Sequence, residues 1–153
     1  MTEQLSPLAL QALAIVEESG AIISANHAHP HTIRHKGRID LVTETDIAVE
    51  AFLKERLATL TPEAGFLAEE SAEDLSLPDT CWIIDPVDGT TNFAHGLPLT
   101  VTSVAYRLNG EIVLGIVNAP LLRECFIAEK GKGAWRNGER ISVSSVAACE
   151  NAL

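Results

Sequence analysis

Asp85 and Asp88 stand three residues apart in the run Asp85-Pro86-Val87-Asp88-Gly89-Thr90-Thr91. In a turn stiffened by Pro86, both carboxylates and the Val87 carbonyl can converge on one point. All three are hard oxygen donors, the kind that magnesium selects. Gly89 removes a side chain where a ligand must approach the backbone. Thr90 can cap a short helix, and the first N–H groups of a helix form a natural phosphate cradle. One heptapeptide thus offers cation ligands and an anion site side by side, as metal-assisted phosphate hydrolysis requires. In isolation the same run would be an acidic turn with a helix cap. Its setting argues for more, because an apolar stretch, Trp82-Ile83-Ile84, leads into it and a second acidic site precedes it.

That second site is Glu69-Glu70-Ser71, reached through Phe66-Leu67-Ala68. A strand ending in paired acids can deliver a third carboxylate to the same metals, although adjacent glutamates alone are usually a solvated face. A third segment, Asp40-Leu41-Val42-Thr43-Glu44-Thr45-Asp46, reads by itself as an ordinary helix start. His27, His29, His31 and His35 lie in a polar, Pro-containing stretch where nothing fixes their geometry, and specific metal sites need rigid spacing. Lys130-Gly131-Lys132-Gly133 lacks the Walker spacing and its following Ser/Thr, so it reads as a turn between strands. No G-x-S-x-G and no cysteine–histidine signature of a nucleophilic enzyme occurs.

The elements that must position these residues are legible as a helical front and a strand-rich back. Ser6 can cap a helix with Pro7 at its first position, and Leu8, Ala12, Ile15, Val16 and Ile23 fall near one helical face. Residues 26–38 are polar and irregular, and Ile39 to Val42 is a short apolar stretch. Thr45 is a candidate N-cap for a second helix, with Asp46 in its first turn. Val49, Phe52, Leu53, Leu57 and Leu60 continue it until Pro62. The period then changes. Trp82 to Ile84 reads as a buried strand that leaves at Asp85-Pro86, and Cys81 beside it as core. Leu99 to Arg107 and Glu111 to Val117 flank Asn109-Gly110, a preferred two-residue hairpin turn. Residues 123–128 make a further strand, and Asn137-Gly138 a second tight turn. The expected fold is α+β, with N-terminal helices packed on a mostly antiparallel sheet. The last residues, Ala147 to Leu153, run on without a stop signal, as in a chain cut mid-fold.

The bulk composition agrees. The chain has 153 residues, suiting one domain, and 46% are apolar, enough for a core. Its net charge of -10, without a strongly basic stretch, argues against a nucleic-acid partner. An acidic protein still binds phosphate where metal ions reverse the local charge. Cys81, Cys125 and Cys149 are far apart and form no CxxC pair, which fits a reducing compartment, with cytoplasm as the default. The N-terminus has no basic n-region and reads as an amphipathic helix rather than a signal peptide. No run of 18 or more apolar residues occurs, so no membrane span is expected.

Taken in order, DLVTETD, AEES and WIIDPVDGTTNF closely resemble the motifs of the inositol monophosphatase family, and GKGAWRNG adds to the likeness. The resemblance runs from about Lys36 to the C-terminus, and Trp82 to Phe93 is its most specific part. It implies the first half of a layered αβαβα fold, the inositol monophosphatase and fructose-bisphosphatase-like sugar phosphatase fold. Residues 1–153 would be the N-terminal metal- and phosphate-binding domain, a homodimer in full form. It implies hydrolysis of a small phosphate monoester, inositol monophosphate or a similar polyol phosphate, with Mg2+ as cofactor. Glu69, Asp85 and the Val87 carbonyl would hold one magnesium, and Asp85 and Asp88 would share a second. Substrate contacts would come from Glu69 and Val87 and from the backbone of Asp88, Gly89 and Thr90. Thr90 and Asp46 would orient and deprotonate the attacking water, with Glu69 joining them in the catalytic set. Magnesium would lower the pKa of that water and neutralise phosphate oxygens. Siblings acting on histidinol phosphate or sulfated nucleotides tend to carry Lys after DGT, whereas this sequence has Thr91.

Three departures accompany the likeness. Ala68 stands where glycine is common. The family's mobile-loop lysine falls at His35 in ungapped register, with Lys36 one place on, and both remain open. No Trp-Asp pair follows to supply another aspartate to the second metal, since Trp82 precedes Ile83 and Trp135 precedes Arg136. The C-terminal half that carries it in the family, and binds the polyol, is expected to be missing. Alternatives are therefore a sibling phosphatase of another substrate class, or a catalytically incomplete half-domain that only binds metal or a partner.

Overall fold

The computed structural model describes residues 5–27, 33–35, 41–70, 77–148 and 150. In chain order its elements are α1 (Pro7–His27), β1 (Ile33–His35), β2 (Leu41–Thr43), α2 (Glu44–Ala58), β3 (Gly65–Ala68), β4 (Cys81–Asp88), α3 (Thr90–Ala94), β5 (Val101–Leu108), β6 (Glu111–Ala119), a 3-10 turn at Pro120–Leu122, β7 (Glu124–Glu129), β8 (Gly133–Arg136) and β9 (Glu139–Ile141). β1 and β2 pair as a small antiparallel ribbon. The seven other strands form one sheet in chain order, β3 to β9. Only β3 and β4 run parallel, and every later pair is antiparallel. This is the expected α+β arrangement.

α1 starts as its sequence dictates. The Ser6 hydroxyl accepts the Ala9 N–H at 3.2 Å, and Pro7 occupies the first helical position, where a missing N–H costs nothing. Glu129, at the end of β7, adds a second cap by accepting the Ser6 N–H at 2.8 Å. Ala12, Val16 and Ile23 are fully buried. By length and composition α1 is apolar enough to cross a bilayer, and here its apolar stripe packs on α2, β6 and the 3-10 turn. Gly20 permits that approach: a Cβ there would meet Asn118 Nδ2 at 2.7 Å and Pro120 Cβ at 2.9 Å. Asn118 then donates to the Val16 carbonyl at 3.1 Å, tying the helix to the sheet.

α2 begins two residues earlier than the sequence suggests, at Glu44 rather than Asp46. β2 runs directly into it, so Glu44 is helical and Thr45 is buried in the first turn rather than capping it. Val49, Leu53 and Leu57 are fully buried, and the helix stops at Ala58, before Pro62. α1 extends through His27 and β1 follows within the stretch 26–38, which the sequence presents as irregular.

The helices cover one sheet face. Trp82 on β4 is fully buried beneath them, its ring 4.5 Å from that of Tyr106 and its Nε1 donating to the Thr61 hydroxyl at 2.8 Å. Along the opposite face, register pairs place Ile83, Ala105, Gly115, Ala128, Ala134 and Ile141 in one row of mostly small residues. Asn109-Gly110 and Asn137-Gly138 form two-residue turns with positive φ at both positions, as the sequence predicts. Cys81 and Cys125 are buried free thiols, and Cys149 lies outside the described residues.

Candidate active site

β4 does not end at Asp85-Pro86 as the apolar run suggests. It continues to Asp88, and its pairing with β5 changes register between Asp85–Ser103 and Asp88–Val101. Three steps on β4 are matched by two on β5, a bulge at Pro86, which has no N–H for the ladder. The Thr102 hydroxyl donates to the Pro86 carbonyl at 2.9 Å and fixes the bulge. The bulge re-aims the end of the strand. Asp85 stays half-buried, Val87 turns inward, and Asp88 is exposed at the rim.

Gly89 follows with φ +90°, and a Cβ there would lie 2.8 Å from the Leu99 carbonyl oxygen. Its glycine is therefore required by backbone conformation and by packing on Leu99, a stronger reason than ligand approach. Gly89 is also the N-cap of α3, with no side-chain capping bond. Thr90, read from sequence as the cap, is instead the first helical residue, and its hydroxyl points elsewhere. It lies 3.1 Å from Asp46 Oδ1 and 2.9 Å from the Val87 carbonyl. A hydroxyl has one hydrogen. Donation to the carboxylate is the stronger bond, leaving both the Val87 carbonyl and the Thr90 lone pairs able to accept or coordinate. Asp46 is buried in the first turn of α2, so the helix and the strand exit meet at this contact.

β3 delivers the third acid. Its parallel register with β4, Leu67 beside Ile83 and Ala68 beside Ile84, extends by one bond, from the Glu69 N–H to the Ile84 carbonyl at 3.2 Å. Glu69 is thereby carried to Asp85. Ala68, the departure from the family's usual glycine, is buried. Burial pushes the Asp85 carboxyl up to about 7, and the charge of Glu69, a hydrogen bond with it, and the charges of Asp88 and Asp46 push the same way. Asp85 Oδ1 is buried and has no hydrogen-bond partner.

A crowded carboxylate with one oxygen left without a partner is relieved either by a proton or by a cation. The donor set is all oxygen, which suits a hard divalent ion. Among the described residues no three His, Cys, Asp or Glu side chains are arranged to hold one ion. The sets expected from sequence ask for less: Glu69, Asp85 and a carbonyl for one ion, Asp85 and Asp88 for another. Of the histidines, His27 ends α1 with its ring against Phe93 at 5.8 Å. His29, His31 and Lys36 lie outside the described residues, as does the side chain of His35.

The sequence reading missed Glu50. It is buried on α2, one turn after Asp46, and accepts the Glu70 N–H at 2.8 Å. Its signal was its place beside Val49 on the buried side of an otherwise regular amphipathic pattern.

Residues 4–153 match the inositol monophosphatase family. The chain belongs to that family. An inositol monophosphatase from Dictyostelium discoideum is 47% identical over 139 residues, which cover 88% of this chain and 51% of the relative. The extragenic suppressor protein suhB from Bartonella henselae superposes with a TM-score of 0.84 at 33% identity, covering 92% of this chain and 55% of that one. An IMPase/NADP phosphatase solved with Mg2+ and phosphate superposes with a TM-score of 0.74 at 28% identity, covering 83% of this chain and 49% of that one. The chain thus spans about half the length of the inositol monophosphatase relatives it matches.

Proposed function

We propose that this chain is the N-terminal, metal- and phosphate-binding part of a magnesium-dependent phosphatase acting on small phosphate monoesters, inositol monophosphate foremost. The observation that carries the reading is the Asp85 cluster: a buried carboxylate oxygen without a partner, pressed by Glu69, Asp88 and Asp46, beside the Thr90–Asp46 contact. Glu69, Asp85 and the Val87 carbonyl would hold one magnesium ion, and Asp85 with Asp88 a second. When bound, magnesium would supply charge neutralisation for the phosphate and acidify a water. Thr90 gives its hydrogen to Asp46 and accepts one from the attacking water, so the proton has a path through Thr90 Oγ to a buried carboxylate. The backbone of Asp88, Gly89 and Thr90, at the start of α3, would hold the phosphate oxygens. Magnesium and phosphate bound together in the related IMPase/NADP phosphatase support this assignment. That relative's double name also makes substrate breadth a property to measure.

Phosphate release from inositol monophosphate, with magnesium and with EDTA, tests the proposal on the natural full-length product. Equal rates would remove the metal from the mechanism. A panel including histidinol phosphate, sugar phosphates and nucleotide phosphates separates the sibling activities. A second reading is favoured by the absence of a Trp-Asp pair from these residues: the chain alone binds a divalent ion without turnover. Phosphate release by the 153-residue chain itself would refute it. We further propose a homodimer and a cytoplasmic setting, the latter in keeping with buried thiols Cys81 and Cys125. Sedimentation velocity and cell fractionation test the two.

A further inference from the structure

We infer that Glu50 is a positioning residue for the Glu69 carboxylate, acting through the Glu70 N–H, and that it thereby sets the affinity of the acidic cluster for a divalent cation. The inference rests on the reading of that cluster as a metal site. Glu50 is 5% exposed. A carboxylate that deeply buried needs strong partners. Its contact with Lys54 is long, 3.9 Å, and the Lys54 side chain is 36% exposed, so that pair contributes little. Among the described residues the short bond is the one from the Glu70 N–H, 2.8 Å and charge-assisted.

That bond acts on Glu69. The Glu69 N–H is held by the Ile84 carbonyl of β4, and the next N–H along the chain is held by Glu50 of α2. The two rotations about the Glu69 Cα lie between these two anchored groups, so both are fixed. One anchor adjoins Asp85 on β4. The other sits one helical turn from Asp46 on α2. Glu69 is therefore referenced at once to the strand and to the helix that carry the other acids. Without Glu50, one anchor goes, and the carboxylate leaving β3 is free to swing.

The test uses the full 153-residue chain and manganese, whose free ion is counted by its electron paramagnetic resonance signal. Glu50→Met keeps the volume and removes the acceptor; Glu50→Gln keeps an acceptor oxygen and removes the charge. Glu50→Met should weaken manganese binding about tenfold or more, the usual scale for a ligand's outer partner. Glu50→Gln should stay within about threefold of the native chain, since a carbonyl oxygen still accepts the N–H. Ser6→Ala, a loss of helix cap far from the cluster, should lower the melting temperature and leave manganese affinity unchanged. Native affinity in Glu50→Met, or equal weakening in Met and Gln variants, overturns the inference. Glu69→Gln separates the two levels. If it loses manganese while Glu50→Met does not, the site stands and the positioning role falls; if it binds as the native chain does, both fall. A measurement on the native chain alone guards against misfolded variants. The Glu70 amide should be protected from hydrogen exchange, and exchange at the rate of an open peptide overturns the role of Glu50.

Discussion

Thr90 has one hydrogen and two oxygens within reach, and the choice between them decides what the residue does. Thr90→Val keeps the shape and removes both the hydrogen and the accepting lone pairs. In the proposed full-length phosphatase it should lower kcat by about 10²–10⁴, the range for losing a positioned proton path, with a smaller change in KM. Asp46→Asn should act similarly. An unchanged kcat in both would take the water-activating role from this pair. Gly89 carries a different risk. Gly89→Ala must adopt φ +90° and push its Cβ to 2.8 Å from the Leu99 carbonyl. A loss of about 1–3 kcal/mol in urea unfolding is expected for such a forced backbone; a loss under about 0.5 kcal/mol, the scale of an ordinary surface change, would mean the turn relaxes. That Asp46, Glu69, Asp85, Asp88 and Thr90 lie together was legible because so short and acidic a run beside an apolar strand has few other uses. Their roles were less so. Thr90 looked like a cap because hydroxyls usually cap, but the cap position requires positive φ, which only Gly89 adopts readily. Glu50 was passed over because a glutamate on a helix usually faces solvent, although its place beside Val49 and three residues before Leu53 puts it on the buried stripe.

Elements were read better than their ends. The apolar periods of α1 and α2 and the two Asn-Gly turns reported local physics, so helices and hairpins came out where expected. β4 ran past its predicted exit because a bulge absorbs Pro86, and whether a strand continues beyond such a proline depends on the partner strand, β5, as well as on β4 itself. The same non-local logic governs the start of α1. Partial burial of Glu129 at the end of β7 would raise its carboxyl, yet the Ser6 N–H and Lys132, 3.1 Å away, draw it below the usual range. A lowered carboxyl contributes stability above its unfolded pKa and loses it as pH falls through the folded value. Glu129→Gln should therefore destabilise the chain near neutral pH, by about 0.5–2 kcal/mol if it behaves as a lost cap, and the difference from the native chain should vanish in acid. A difference that persists in acid would assign it to packing instead.

At the scale of the whole molecule, the acid cluster works against the fold that makes it. Asp85 ordinarily ionises near 3.8 and here near 7, so between those values the folded chain holds a proton that the unfolded chain has released. Its contribution is full below 3.8 and is lost as pH rises through about 7. In EDTA, Asp85→Asn should gain stability over the native chain as pH is raised from about 5 to about 8, by urea midpoint. A gap that stays constant with pH would clear Asp85 of the cost. Magnesium should restore what ionisation removes, adding about 2.7 kcal/mol at a hundredfold excess over its dissociation constant. That gain should be absent in Asp85→Asn.

The bonds that fasten α1 have a consequence in time. Asn118 holds it from 102 positions downstream of Val16, and Glu129 from 123 downstream of Ser6. Of the described elements α1 leaves the ribosome first, yet its anchors follow only after a delay on the order of ten seconds at typical bacterial or eukaryotic elongation rates. The sheet can meanwhile zip by neighbours, since its strands pair in the order in which they are made. The nascent chain thus carries a long apolar helix that can meet α2 early but lacks its sheet partners until β6 and β7 arrive, and that interval is when a chaperone that shields exposed apolar helices would matter most to its yield.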